Sequence, residues 1–222
     1  MVRRWPDLEV YVHERGAPHL IDPSKLLASA ERLYGVDMKR LWGEILPVPE
    51  GNVTALSGGE TVLGMRVAYT PGHASHHVCY FHEETGTAFT GDVAACRIPP
   101  SDLVMPPTPP PDIDVETWLD SIAVVEGWQP VRLALTHFGS VEGDVPGYLD
   151  IVRERLREEA DLVKSMERGA YEADLQRRIR EQMGSEGLGE ETIAELLQAV
   201  PTAYQWPGLD RYWTKKAERE AA

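Results

Sequence analysis

Cysteine is scarce in this 222-residue chain, where only Cys79 and Cys96 occur. Two thiols without framework spacing exclude a disulfide-stapled scaffold and fit a reducing, cytoplasmic compartment. Long apolar runs are missing too. None approaches the roughly 18 residues needed to span a bilayer, so no membrane partner is expected. Arg3 and Arg4 have no apolar stretch behind them, which reads as no signal peptide. Basic residues are in deficit: 22 Lys and Arg face 36 Asp and Glu, for a formal charge of -14. Such a balance argues against a broad nucleic-acid surface. No internal repeat and no Gly-x-Ser-x-Gly pattern occur.

What is present is a normal globular composition, 42% hydrophobic and 26% charged. A length of 222 residues suits one domain with a modest appendage. The alternating run 8–13 reads as a strand, and Asp22-Pro23 caps a helix with Leu26, Leu27, Ala30 and Leu33 on one face, stopped by Gly35. A second short helix is expected over 37–45. Strands follow at 53–56, 61–63, 65–69, 78–81 and 87–89, the last two joined by a turn at 83–86. The proline-rich stretch 98–114 can be neither helix nor central strand and reads as an extended loop. An amphipathic helix over 114–128 and a buried strand over 131–135 complete this part. After residue 140 the pattern becomes helical: 145–168, 171–183 and 190–200, separated by Gly169 and the 184–189 stretch, then a last segment from Trp206 to Trp213 and a charged tail.

Three short motifs share one grammar. An apolar, β-prone run stops at a small or turn-forming residue, and an imidazole or carboxylate follows: Thr70-Pro71-Gly72-His73, Thr90-Gly91-Asp92 and Leu135-Thr136-His137. Strand ends of this kind can bring His73, Asp92 and His137 together above a sheet edge, and they form a metal-ligand set. Taken singly, each could be a turn or strand-end residue bonded to backbone.

In this order the motifs resemble the last three of the metallo-β-lactamase fold hydrolases, over residues 9–139. The resemblance implies an α/β fold, an αββα sandwich, with His73 on a first metal, Asp92 bridging as the catalytic carboxylate, and His137 on a second. The family's His-x-His-x-Asp-His cluster is absent, so the expectation is an N-terminally truncated domain, 1–140, followed by a helical C-terminal extension, 141–222. Two zinc ions are implied for an intact member, with iron or manganese as alternatives, and at most one weakly held ion for this chain. The implied activity is that of a metallo-hydrolase in which metal-bound hydroxide attacks a small ester, thioester or lactone, as in hydroxyacylglutathione-hydrolase-like members. The competing expectation is a degenerate, non-catalytic member acting as a dimerisation or interaction module, its helical extension supplying a homodimer contact.

His76 and His77 follow His73 closely and read as supporting or packing groups, since neighbours in an extended segment face opposite ways. Arg97 suits either a substrate carboxylate or phosphate, or a surface ion pair. Cys96, four residues past Asp92, reads as a small buried filler more often than as a soft metal ligand.

Overall fold

The computed structural model describes residues 1–41, 43–199 and 202–221. It opens with β1 (Val10–His13), which pairs in parallel with β2 (Val53–Leu56) in a two-stranded ribbon. A parallel pair needs a crossover, here α1 (Ala17–Ile21), α2 (Ser24–Tyr34) and α3 (Met38–Leu41). Sequence patterning did not anticipate α1. The helix α2 stops at Gly35, whose φ of +51° a glycine adopts without penalty. The side chain of Leu33, expected on its apolar face, lies outside the described residues. So does Trp42, within the helix expected over 37–45, of which a 3₁₀ turn and α3 are seen.

Six strands form the main sheet: β3 (Thr61–Val62), β4 (Met65–Tyr69), β5 (Val78–His82), β6 (Thr87–Gly91), and, after an excursion, β9 (Arg132–Leu135) and β10 (Ser140–Glu142). Their spatial order is β10-β9-β6-β5-β4-β3, antiparallel except between β6 and β9. The excursion holds β7 (Cys96–Arg97), β8 (Val104–Met105) and α4 (Val115–Gly127). Asp114 starts α4 by accepting a hydrogen bond from Thr117 N through its side chain. Because α4 carries the chain across the sheet, β9 can return parallel to β6. The proline-rich stretch is not wholly loop. Val104 and Met105, two of its proline-free positions, pair with β7 as a short ribbon.

One sheet face carries Phe81, Ala88, Leu133 and Val141 in a row, buried beneath α4 and the later helices. The β1–β2 ribbon lies on the other face, where Tyr80 donates its hydroxyl proton to Tyr11 O at 3.0 Å and His13 stacks on Tyr69.

Four helices follow: α5 (Val145–Ser165), α6 (Arg168–Ser185), α7 (Glu190–Ala199) and α8 (Gln205–Glu220). Gly169, expected as a break, is the second residue of α6; the break falls at Met166, whose backbone is extended. Val200, the expected end of α7, lies outside the described residues. The expected charged tail is a helix, because tertiary docking stabilises it. Gly208 of α8 lies where a Cβ would come within 2.0 Å of Thr108 O, and Thr108 is bonded three times to Gln205. One continuous buried cluster joins both parts of the chain, from Cys79 and Trp118 to Leu156, Ile179 and Tyr212.

Candidate metal centre

The direction of three strands decides where the polar side chains meet. Strand β5 is antiparallel to both β4 and β6, and β9 is parallel to β6, so β4, β6 and β9 all run the same way. Their C-terminal ends therefore share one edge of the sheet. His73 lies just beyond β4, Asp92 just beyond β6 and His137 just beyond β9. Glycines make the close approach feasible. A Cβ on Gly72 (φ +122°) would lie 2.4 Å from Trp118 backbone atoms, and one on Gly91 (φ +51°) would lie 2.2 Å from His77 Nε2.

Asp92 sits at the centre. Its Oδ2 is 3.5 Å from His73 Nε2, and its Oδ1 is 3.3 Å from His137 Nε2. Oδ1 is nevertheless buried and makes no hydrogen bond. Proximity without alignment is what donors facing a common point show, whereas a structural carboxylate would be bonded. Cys96 joins from β7: ligand atoms of Asp92, Cys96 and His137 lie within 4.8 Å of one another.

Two of the imidazoles are oriented from behind. His73 Nδ1 lies 2.9 Å from Pro107 O, an acceptor only, so Nδ1 carries the proton and Nε2 keeps its lone pair. Burial against Trp118, at 5.3 Å edge-on, lowers the His73 pKa, with the Asp92 carboxylate opposing the shift. His77 Nε2 accepts from the backbone N–H of Asp92 at 3.2 Å, and its Nδ1 therefore donates to Thr70 Oγ1 at 2.9 Å. Burial pushes His77 down to about 4, and it stays neutral. His137 is different, with almost half of its side chain exposed at 48%. The site opens to solvent on that side. The Cys96 thiol is pushed up to about 12, first by burial and then by the Asp92 charge.

The donor set is two imidazole nitrogens, a carboxylate and a thiol, with one orphaned carboxylate oxygen among them. These residues fit a bound metal ion of the zinc type. The structure places His77 behind Asp92, as a support for its backbone. His76 is exposed, 6.5 Å from His19. Arg97 pairs with Asp102 at 2.6 Å on the surface. Sequence reading missed the Pro107 carbonyl, Thr70, and Asp112, which receives the Ser75 hydroxyl at 2.6 Å and braces the His73 turn. No local signal marks the Pro107 carbonyl or Asp112, whose partners lie more than thirty residues away, whereas Thr70 stands inside the first motif and bonds His77 seven residues on.

Comparison with known proteins gives the geometry a context. The family model of the metallo-beta-lactamase superfamily matches residues 1–138. A metallo-beta-lactamase fold-containing protein of Sulfurisphaera tokodaii is 32% identical over 117 residues, 53% of this chain and 42% of that protein. The atrochrysone carboxyl ACP thioesterase of Aspergillus fumigatus is 26% identical over 157 residues, 69% of this chain and 32% of that protein. The chain thus spans well under half the length of either curated relative. Among solved structures, an archaeal metallo-beta-lactamase superfamily protein from Sulfolobus tokodaii superposes with a TM-score of 0.62 at 24% identity, over 91% of this chain and 70% of that one. A metallo-beta-lactamase family protein from Thermus thermophilus gives 0.50 at 20% identity, over 70% and 55%.

Proposed function

The chain belongs to the metallo-beta-lactamase superfamily, and we propose that it is a metal-dependent hydrolase of small acyl substrates: esters, thioesters or lactones. The observation that carries this reading is the buried Asp92 Oδ1, unbonded, between two imidazoles that both point Nε2 towards the same carboxylate. Members of this superfamily generally bind metal, and one relative is named a thioesterase.

The division of labour follows from the geometry. His73, Asp92 and His137 would hold the ion, His73 in the tautomer fixed by Pro107. Zinc is the metal the nitrogen, oxygen and sulfur donors suit best, with iron the alternative. When bound, the metal supplies a water made acidic enough to ionise near neutral pH and a positive charge against the acyl oxygen. His77 keeps the Asp92 backbone N–H occupied, and so aims the carboxylate. Substrate would enter on the exposed His137 side. The net charge of -14 favours a small acyl group over a polyanion. Two free, buried cysteines support a reducing, cytoplasmic setting.

The test is metal content and thioester hydrolysis on the same preparation. Zinc-loaded protein is expected to retain metal through gel filtration and to hydrolyse an S-acyl thioester, activity that a chelator removes. Asp92→Asn should reduce that activity by more than ~100-fold, beyond the loss from ligand-supporting residues alone. Protein that folds but retains no metal and leaves the thioester intact would sink the enzyme reading and leave an interaction module.

A further inference from the structure

The motif reading treats Cys96 as a filler, yet the fold turns it towards the metal-binding carboxylate. Ala95 adopts φ +60°, a left-handed conformation that costs a non-glycine residue roughly 1–2 kcal/mol. Its N–H bonds back to Asp92 O at 3.0 Å, closing a tight turn that reverses the chain immediately before Cys96. Pairing of Cys96 with Met105 then fixes the residue in β7. Strain held at a site beside a reactive group asks for a reason. The result is a thiol whose Sγ, with Asp92 and His137 ligand atoms, falls in one cluster no wider than 4.8 Å.

Cys79 shows what a packing thiol looks like here. It receives the Thr70 hydroxyl at 3.2 Å and donates to Thr90 O at 3.4 Å, on the covered face of the sheet. Cys96 instead shares its neighbourhood with the orphaned Asp92 Oδ1. Bonds of about 2.3 Å to sulfur and 2.0–2.2 Å to nitrogen or oxygen let one ion reach donors this close after small side-chain adjustments.

We propose that Cys96 is a metal ligand, its thiolate joining Asp92 Oδ1 and His137 Nε2 around one ion, with His73 on the Oδ2 side. This rests on the metal reading above and goes beyond the three strand-end motifs. Coordination releases the Cys96 proton to solvent, since the thiolate is the binding form. Three protein ligands hold the ion and leave a position open for water or substrate. A thiolate in the set selects zinc, cobalt or cadmium over manganese.

Cobalt(II) is the probe that separates this claim from the broader one. Metal-free protein titrated with cobalt chloride should develop visible d–d absorption together with a near-ultraviolet thiolate-to-cobalt band. Cys96→Ser should lose the near-ultraviolet band and bind cobalt at least ~10-fold more weakly, while Cys79→Ser keeps both. Circular dichroism of each variant confirms folding, and the wild-type spectrum needs no variant at all. Visible bands without the thiolate band in wild-type protein would overturn the Cys96 assignment and leave the metal reading intact. A thiolate band that survives in Cys96→Ser would overturn it equally. No cobalt absorption of either kind would remove the metal reading, and this inference with it.

Discussion

The two faces of the six-stranded sheet come from the same strands and differ in what covers them. On one face Phe81, Ala88 and Leu133 lie side by side, and Phe81, only 6% exposed, stacks on Trp128 at 5.4 Å. On the other, the row Val67, Tyr80, Phe89, Ala134 begins buried and ends open. Val67 is buried and Tyr80 bonds the β1–β2 ribbon, whereas Phe89 is 44% exposed beside Ala134 and Arg132. Cover on this face therefore fades from β4 towards β9. The contrast teaches that the closed core lies on the helical side, while the strand ends that carry His73, Asp92 and His137 are shared by both faces.

Substituting equivalent residues on the two faces puts numbers on the contrast. Phe81→Ala should cost about 3–5 kcal/mol, the range for an aromatic removed from a closed core, read as a lowered denaturant midpoint. Gly91→Ala comes next. Its φ of +51° adds roughly 1–2 kcal/mol of strain, and its Cβ would displace the His77 ring. Zinc affinity should fall by ~10–100-fold with the support behind Asp92, measured by competition with a chelating dye. Retained affinity would mean that His77 does not position the carboxylate.

Phe89→Ala should cost only about 1–2 kcal/mol, since 44% of Phe89 stays in solvent where Phe81 keeps 6%. A loss as large as that of Phe81→Ala would show that the open face is covered in solution, and gel filtration of the two variants would identify a second copy as the cover. The smallest effect belongs to the turn tying the ribbon to the sheet. Glu60 accepts from Ser57 N, Ser57 Oγ and Gly58 N, which holds its carboxyl near 2. A carboxyl lowered on folding gives stability that is complete above its unfolded value near 4.5 and is lost as pH falls towards 2. Glu60→Gln should therefore lower stability slightly at neutral pH, flatten the acid limb of a stability–pH profile and converge with the wild type as pH falls towards 2.

Local chemistry explains why much of this was legible beforehand. The β-prone runs 65–69 and 78–81, the helix over 114–128 and the stop at Gly35 are signals carried by a few neighbouring residues. So is the strand–turn–ligand grammar of His73, Asp92 and His137. Helix α8 spans what reads in the sequence as a last segment at 206–213 and a charged tail, because its own pattern is mixed; its order comes from Thr108, Pro111 and Glu116, about a hundred residues earlier.

The sequence by itself determined that three ligand-type side chains follow three short strands, because turn and strand preferences act over a few residues. Only the tertiary structure decided that β4, β6 and β9 run in the same direction and so deliver those side chains to one edge. It also decided that Ala95 turns Cys96 back to Asp92, and that Pro107 fixes the His73 tautomer. Pairing direction and contacts across tens of residues depend on which surfaces bury together, and that is a property of the whole chain.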